Sequence, residues 1–255
     1  MTTPSWDEPC RRLDWDTAWW GVRTAEVVGP VKGDREIRAL DEWCLRNRVR
    51  LLYFLCPSTE PAAAQLAEAA GFRLMDVRIG LQNDSIAHPT SQDRQDPTGV
   101  SIRMVKANDV DALGRLASRS YRFTRFYADA GLPDGRCDDL YRTWIEQDCR
   151  GKADAVLLAD LGGEMAGYIS CAVDRSRSRG AIGLVGVSDA HQGQGIGSFL
   201  VEASLRWFEG EGATTAYVVT QGRNVAALRV YERHGFVAHD TGFWFHKWYP
   251  ASPDP

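Results

Sequence analysis

Several things are scarce in this chain of 255 residues, and each scarcity closes off a class of function. Its six cysteines (Cys10, Cys44, Cys56, Cys137, Cys149, Cys171) are scattered and form no Cys-x-x-Cys pair. That is the pattern of reduced core thiols in a cytosolic protein, and it argues against a disulfide framework or a zinc site. The five histidines, at 88, 191, 234, 239 and 246, show no metal-ligand spacing, so no metal chemistry is expected. No window approaches the ~18 consecutive apolar residues of a membrane span. The N-terminal "MTTPSWDEPCRRLDWD" has neither the basic nor the apolar region of a secretory signal, and the expected location is cytoplasmic. With 30 Lys and Arg against 34 Asp and Glu, the net charge of -4 lacks the basic excess a general nucleic-acid binder needs for phosphates.

What is present is an ordinary globular composition, 44% hydrophobic and 25% charged. The polar, proline-bearing stretch over 82–99 reads as a linker. It gives a first domain over 1–84, a linker over 85–99 and a second domain over 100–255. The second domain begins as a strand and a helix in "SIRMVKANDVDALGRLASRSYRF", with Asn108 or Asp109 as N-cap. An irregular loop is expected over 121–136, then a helix carrying Leu140, Trp144 and Ile145. "AVLLAD-LGG-EMAGYISCAV" reads as a hairpin turning at Gly162 and Gly163. There follow a strand (181–188), a glycine turn, a helix from about 195 to 209, the strand "TTAYVVTQ", a helix from Asn224 to Gly235, and the closing strand "GFWFHKWY". The fold class is α/β (α+β), with a mixed and largely antiparallel sheet flanked by helices.

The first domain contains a smaller copy of that ending: the strand "VRLLYFLC", the helix "AAAQLAEAAGF" and the strand "LMDVRIGL". Glu-x-x-Gly-Phe occurs at Glu68 and at Glu232, an offset of 232 − 68 = 164 residues. The first copy has no glycine loop before its strand, and Ala67 stands where the second has Tyr231. One working half and one degenerate half are expected.

The run Gln192-Gly193-Gln194-Gly195-Ile196-Gly197 carries the chemistry. It is not placed like a dinucleotide loop, which follows the first strand of a βαβ unit. Nor is it a Walker A loop, because no Gly-Lys-Ser/Thr follows. Two readings stay open: a structural glycine turn, or a cradle whose backbone N–H groups hold a diphosphate at a helix N-terminus.

The same six residues fit the Gln/Arg-x-x-Gly-x-Gly/Ala signature, and with Asn224, Tyr231 and Gly235-Phe236 the chain resembles the GNAT N-acetyltransferases. A narrower resemblance, to the dTDP-fucosamine acetyltransferases, runs through "LDWDTAWWGV", "YRFTRFY", "YRTWIEQ", "RGAIGLV" and "TQGRNVAALRVYERHGF". Those are two-part proteins whose truncated first half lacks a cofactor loop. The resemblance implies acetyl-CoA as donor, its pyrophosphate on Gln192–Gly197 and its pantetheine arm along Val185, Gly186 and Val187. It implies Asn224 as a cofactor contact, and Tyr231 as both a cofactor contact and the acid that protonates the leaving sulfur. Gly186 between two valines would allow a bulge or a close approach.

Each of these residues also has a plainer role: Tyr231 as helix packing, Asn224 as an N-cap. No acidic residue lies in "RGAIGLVGV" to serve as base; Asp129, Asp134 and Glu68 are candidates by position only. Arg122, Arg125 and Tyr127 are the candidate substrate contacts, because arginine suits a diphosphate and aromatic rings suit thymine. Trp15 and Trp20 read as core before contact. His191 is expected on an exposed loop without a catalytic role.

The implied acceptor is the amine of a dTDP-linked deoxyamino sugar, with no nucleic-acid or membrane partner. Alternatives are an aminoglycoside, a polyamine, a protein N-terminus, or a CoA-binding protein without turnover. The closing "FWFHKWYP" is apolar enough to pair across a homodimer interface.

Overall fold

The computed structural model describes residues 8–86 and 98–250. Most of the linker expected over 85–99 therefore lies outside the described residues. The first part of the chain forms β1 (Cys10–Arg12), α1 (Asp14–Trp20), β2 (Thr24–Val27), α2 (Asp34–Arg46), β3 (Leu51–Pro57), α3 (Pro61–Ala69) and β4 (Arg73–Asn83). The second begins with β5 (Val100–Met104), α4 (Val110–Ser120), the single turn α5 (Arg125–Ala128) and α6 (Asp134–Gln147). It continues with β6 (Ala155–Leu161), β7 (Glu164–Asp174), β8 (Arg179–Val187), α7 (Ile196–Gly210), β9 (Thr215–Gln221), α8 (Val225–Arg233) and β10 (Val237–Trp248). The order expected for the second part holds, and the hairpin turns on Gly162 and Gly163 at φ 61° and 92°. The stretch expected as a loop over 121–136 holds α5 and the start of α6. Asp109 does not cap α4 through its side chain; its carboxylate takes the Lys106 N–H at 2.7 Å and the Arg103 guanidinium.

The chain divides into two compact units. Unit 1 holds the chain up to Arg78, Arg125–Leu132, and the chain from Thr241; unit 2 holds Ile79–Thr124 and Pro133–Asp240. In unit 1, β1 pairs antiparallel with β2, β2 parallel with β3, and β3 antiparallel with β10, from Leu51–Trp248 to Pro57–Gly242. Alternation along β3 sends Leu52, Phe54 and Cys56 to one face, where α2 covers them with Leu40, Trp43 and Cys44 and α3 with Ala63 and Ala67. The apolar closing strand, which the sequence offers for pairing between copies, is thus used inside the chain, with Phe245 buried in this core.

In unit 2, β5, β6, β7 and β8 form an antiparallel series and β9 joins β8 in parallel. The Ile79–Asn83 part of β4 flanks β9. Over it, the Tyr217 hydroxyl on β9 donates to Asp240 on β10 at 2.8 Å. A Cβ at Gly80 would fall 2.4 Å from that hydroxyl, so only glycine lets β4 run beneath the bond. The apolar face of α7 (Ile196, Leu200, Leu205, Phe208) packs on Leu157, Ile169, Ile182 and Val218.

The two copies end their helices alike. Gly71 and Gly235 sit at φ 85° and 79°, and the next residue's N–H, of Phe72 or Phe236, reaches back to Ala67 or Tyr231 at 2.9 and 3.1 Å. Both phenylalanines are buried. The closing strands then part company with their own copies. β10 of the second copy pairs with β3 of the first, while part of β4 from the first flanks β9 of the second.

Gly71 has open space around it but a left-handed backbone, whereas Gly210, also in open space, lies in α7. Gly71→Ala should therefore destabilise the chain by about 1 kcal/mol, and Gly210→Ala should stabilise it by about 0.5 kcal/mol. Urea unfolding midpoints check both signs; a Gly71→Ala midpoint at or above that of the native chain would count against the left-handed cap.

Candidate active site

The site begins where two strands of unit 2 separate. β8 pairs with β9 only from Arg179–Thr215 to Ile182–Val218, and beyond that no β9 residue faces it. The cause lies on the other side of β8. Between Ile182, opposite Cys171, and Val185, opposite Ile169, β8 carries one extra residue, a bulge at Gly183 and Leu184. Ser170, buried on β7, fills it: its Oγ accepts the Leu184 N–H at 2.8 Å. A Cβ on Gly183 would fall 2.6 Å from that oxygen. Of the bulge or close approach that Gly186 would allow, the bulge lies instead at Gly183, where the serine enters. Gly186 provides the close approach instead, since a Cβ there would stand 2.5 Å from Tyr168 Cε1 and 2.9 Å from Ser120 Oγ.

Strand register decides which backbone groups face the opening. Ser188 N–H donates to Ala166 O at 2.9 Å, and Gly186 lies opposite Tyr168. Antiparallel pairs alternate, so the N–H and C=O of Gly186 face β7, while those of Val185 and Val187 face the side that β9 has left.

At the end of β8, Gly193 and Gly195 take φ of 76° and 83°, and the first has no atom within 4 Å of where a Cβ would be. The Gln192 amide is tied to Asp189 Oδ1 at 2.8 Å and that of Gln194 to Ala190 O at 3.2 Å. Ile196 puts its side chain in the core. The loop therefore offers main chain, not side chains. Phe199 N–H is the first to bond within α7, to Gly195 O at 3.0 Å, which leaves the N–H groups of Ile196, Gly197 and Ser198 directed out of the helix end. Positive-φ glycines, outward amides and an unpaired strand edge are what a diphosphate on an extended amide-bearing arm requires.

Tyr231 lies buried on α8 with its ring 5.6 Å from Phe236. Burial raises its phenol well above the ordinary value of 10. Asn224 caps α8, its Oδ1 accepting the Ala227 N–H at 3.2 Å. Tyr168, which the sequence did not single out, and Tyr121, from the Arg- and aromatic-rich stretch offered for the substrate, also converge on it. The Tyr168 hydroxyl donates to Tyr121 Oη at 3.0 Å, and the Tyr121 hydroxyl donates to Val185 O at 2.9 Å. Burial, with Tyr168 beside it, raises the Tyr121 phenol, and Tyr231 adds to the effect. Beside the end of β8, Arg115, Leu116, Arg119, Ser120, Val187, Ser188 and Asp189 line a cleft of about 280 Å³. The signal that could have flagged this region is three glycines, Gly180, Gly183 and Gly186, at equal spacing in one strand.

The remaining candidates are divided between the two units. Arg122, in unit 2, is exposed and pairs with Asp138 at 3.0 Å. Arg125 and Tyr127 lie on α5 in unit 1. The Arg125 guanidinium stands about as far from Tyr53 (4.1 Å) as from Phe126 and Trp244 (4.2 Å each), and bonds to His246 Nε2 at 2.8 Å. Since arginine only donates, that nitrogen carries the lone pair, and the Nδ1–H donates to Asp129 Oδ2 at 2.6 Å. Asp129 also accepts from Trp248 Nε1 and Gly131 N–H, so it is committed and poorly suited to be a base. Asp134 and Glu68 are exposed on α6 and α3. Trp20 is buried and Trp15 is exposed, stacked on Trp19 at 5.2 Å. His191, expected on an exposed loop, is buried, because the turn over Asp189–His191 directs the ring inward; its Nδ1 has no hydrogen-bond partner among the described residues.

Residues 116–236, which span β8, the glycine loop and α8, match the Acetyltransferase (GNAT) family model. The chain carries a GNAT acetyltransferase domain. It is 28% identical over 239 residues to a dTDP-fucosamine acetyltransferase of Escherichia coli O6:H1, covering 92% of this chain and 96% of that one. It is 29% identical over 193 residues to a mycothiol acetyltransferase of Amycolatopsis mediterranei, where the match takes in 71% of this chain but only 60% of the relative. In fold it resembles a tandem GNAT protein from the clavulanic acid biosynthesis pathway, with a TM-score of 0.62 at 18% identity over 92% of this chain and 77% of that one. The GNAT domain makes this an acyltransferase that uses acetyl-CoA, and the open β8 edge and the glycine cradle fit that donor. No described helix is long and apolar enough to cross a membrane.

Two predictions follow from this geometry. Gly186→Ala should destabilise unit 2 by about 1–3 kcal/mol through overpacking and should lower acetyl transfer with it; unfolding midpoints and turnover check both. In unit 1, burial lowers the His246 pKa from 6.5 to about 4, with the Asp129 hydrogen bond opposing and the Arg125 charge adding to the shift. A depressed folded value means that the stabilisation is whole above pH 6.5 and is lost as pH falls from there to about 4. Asp129, held low by its donors despite burial, extends the loss in the same direction below its usual 3.8. Denaturation followed by the fluorescence of Trp20, Trp244 and Trp248 should show the midpoint dropping across that window, and less so in His246→Gln.

Proposed function

We propose that the chain acetylates the amino group of a nucleotide (dTDP)-linked deoxyamino sugar. The observation that carries the acceptor class is the guanidinium of Arg119 in the cleft beside the end of β8, whose lining also holds Asp189 and Arg115, the latter paired with Asp111 one turn earlier on α4. Guanidinium groups suit a diphosphate and repel a polyamine. The match along nearly the whole length of a dTDP-fucosamine acetyltransferase supports the same reading. Arg122, Arg125 and Tyr127 remain proposed substrate contacts by residue type. A second reading, acetylation of a different small amine, is favoured by the mycothiol acetyltransferase relative. Tyr231 and Asn224, both kept in the working half, argue against a CoA-binding protein without turnover.

Acetyl-CoA, when bound, supplies an acetyl group activated as a thioester. Val185 and Val187 would take its pantetheine arm and acyl carbonyl along the open edge, through the N–H and C=O of Val187 and the N–H of Val185, since the Val185 C=O already receives the Tyr121 hydroxyl. Gly193, Gly195 and the first-turn amides of Ile196, Gly197 and Ser198 would hold the pyrophosphate. Gly186, whose backbone faces β7, would contribute closeness and not a hydrogen bond. Gln192 and Gln194 would shape the loop. Asn224 would fix the start of α8 and so the placement of Tyr231. Tyr231, kept protonated by burial, would hold a proton on its Oη for the leaving sulfur.

Tyr231→Phe should lower kcat about 100-fold while the acetyl-CoA Kd stays nearly unchanged. Release of CoA thiol should be tested over dTDP-amino sugars and polyamines with native and Arg119→Ala chains. Turnover of dTDP-amino sugars with a raised KM in Arg119→Ala is the expected result, and turnover of polyamines alone would reject the sugar reading.

A further inference from the structure

We propose that Tyr121 is a positioning residue for the transfer: its hydroxyl clamps the Val185 carbonyl on the open edge of β8, so that the Val185 N–H is held in place for the carbonyl of the acyl donor. This rests on the acetyl-transfer reading of the site. Val185 turns both its N–H and its C=O away from β7, and on that side β9 has already parted. A bulge just before this edge locally disrupts the ladder and lets the strand bend. Here it is fixed at two points that bracket the Val185 N–H. On one side the Leu184 N–H is tied to Ser170 Oγ at 2.8 Å; on the other the Val185 C=O receives the Tyr121 hydroxyl at 2.9 Å. The group between them is left pointing at the opening.

Tyr121 is built for that task. A phenol has one proton to give, and giving it to Val185 leaves its oxygen to accept from Tyr168 at 3.0 Å. The two bonds run in one direction, Tyr168 to Tyr121 to Val185, which strengthens both. The Tyr121 ring is held by stacking on Tyr141, with centroids 4.2 Å apart and planes 16° apart. Burial keeps its proton in place at neutral pH. Tyr121 thus acts through the backbone and needs no contact with the donor. A merely structural tyrosine in the same packing would lose stability with its hydroxyl but leave the carbonyl of the bound donor unchanged.

The test is Tyr121→Phe, which removes the hydroxyl alone. Isotope-labelled acetyl-CoA bound to the native chain should show its thioester carbonyl stretch shifted to lower frequency by the hydrogen bond. In Tyr121→Phe that shift should shrink and kcat should fall about tenfold, while CoA affinity stays as in the native chain; the unfolding midpoint should fall as well, because the buried Tyr168 hydroxyl loses its acceptor. Tyr168→Phe should show a smaller loss of the same shift, and the double variant should be no worse than Tyr121→Phe. An unchanged carbonyl shift in Tyr121→Phe would overturn the proposal, as would an equal fall in CoA affinity. If Tyr121→Phe does not fold, the Tyr168→Phe spectrum decides, with an unchanged shift again refuting the clamp. The spectrum needs no acceptor, so failure of the sugar reading leaves it intact; a native chain that binds neither acetyl-CoA nor CoA would overturn the site reading as well.

Discussion

The hydroxyl of Ser170, buried under β8, is the contact on which the site depends. It captures the Leu184 N–H and forces one extra residue into β8. Pairing with β9 then ends at Ile182–Val218, after four residue pairs. An interior sheet edge is opened without exposing a long unpaired strand, since the Val185 carbonyl is at once taken by Tyr121. At the end of that edge the chain turns through Gly193 and Gly195 into α7. A backbone edge and a backbone cradle are thereby aligned along one segment, and both functions come from main-chain groups whose direction is set by hydrogen bonding.

The three glycines of β8 show how closely packing and chemistry are joined there. Gly180 makes room for Phe208, which anchors α7; Gly183 admits Ser170; Gly186 admits Tyr168 and Ser120. Each absence of a side chain is filled by a neighbour on a different element. The tyrosines that gather around the edge are neutral, because burial penalises the phenolate, so Tyr121, Tyr168 and Tyr231 all keep their protons. The arrangement in unit 1 is different. There a charged Arg125 is enclosed by aromatic rings and held by a neutral His246, whose tautomer is dictated by Arg125 on one nitrogen and Asp129 on the other.

The repeat of strand, helix and strand is preserved best at its helix ends, where a left-handed glycine and a buried phenylalanine recur at Gly71-Phe72 and Gly235-Phe236. Around that shared device the copies have diverged. Ala67, fully buried, occupies the place of Tyr231, so the first copy packs a helix where the second presents a phenol. Each closing strand serves the other copy's sheet, with β10 on β3 and part of β4 beside β9. This exchange accounts for an apolar C-terminal strand without a second molecule.

By itself the sequence determined what depends on near neighbours in the chain: the hairpin at Gly162-Gly163, the glycine loop, the caps of α8, the order of elements in the second part, and the repeat. Those features rest on backbone preferences of glycine and asparagine and on periodicity, all readable from a few adjacent residues. Only the tertiary structure decided the bulge at Gly183, the burial of His191, the tyrosine pair on Val185, the capture of Arg125 by His246 and the partner of β10. Each joins residues far apart in the chain, 14 for Ser170 and Leu184, 64 for Tyr121 and Val185, 121 for Arg125 and His246. Local propensity carries no information about such contacts, because their energy comes from desolvating and pairing groups that meet only once the sheets have formed.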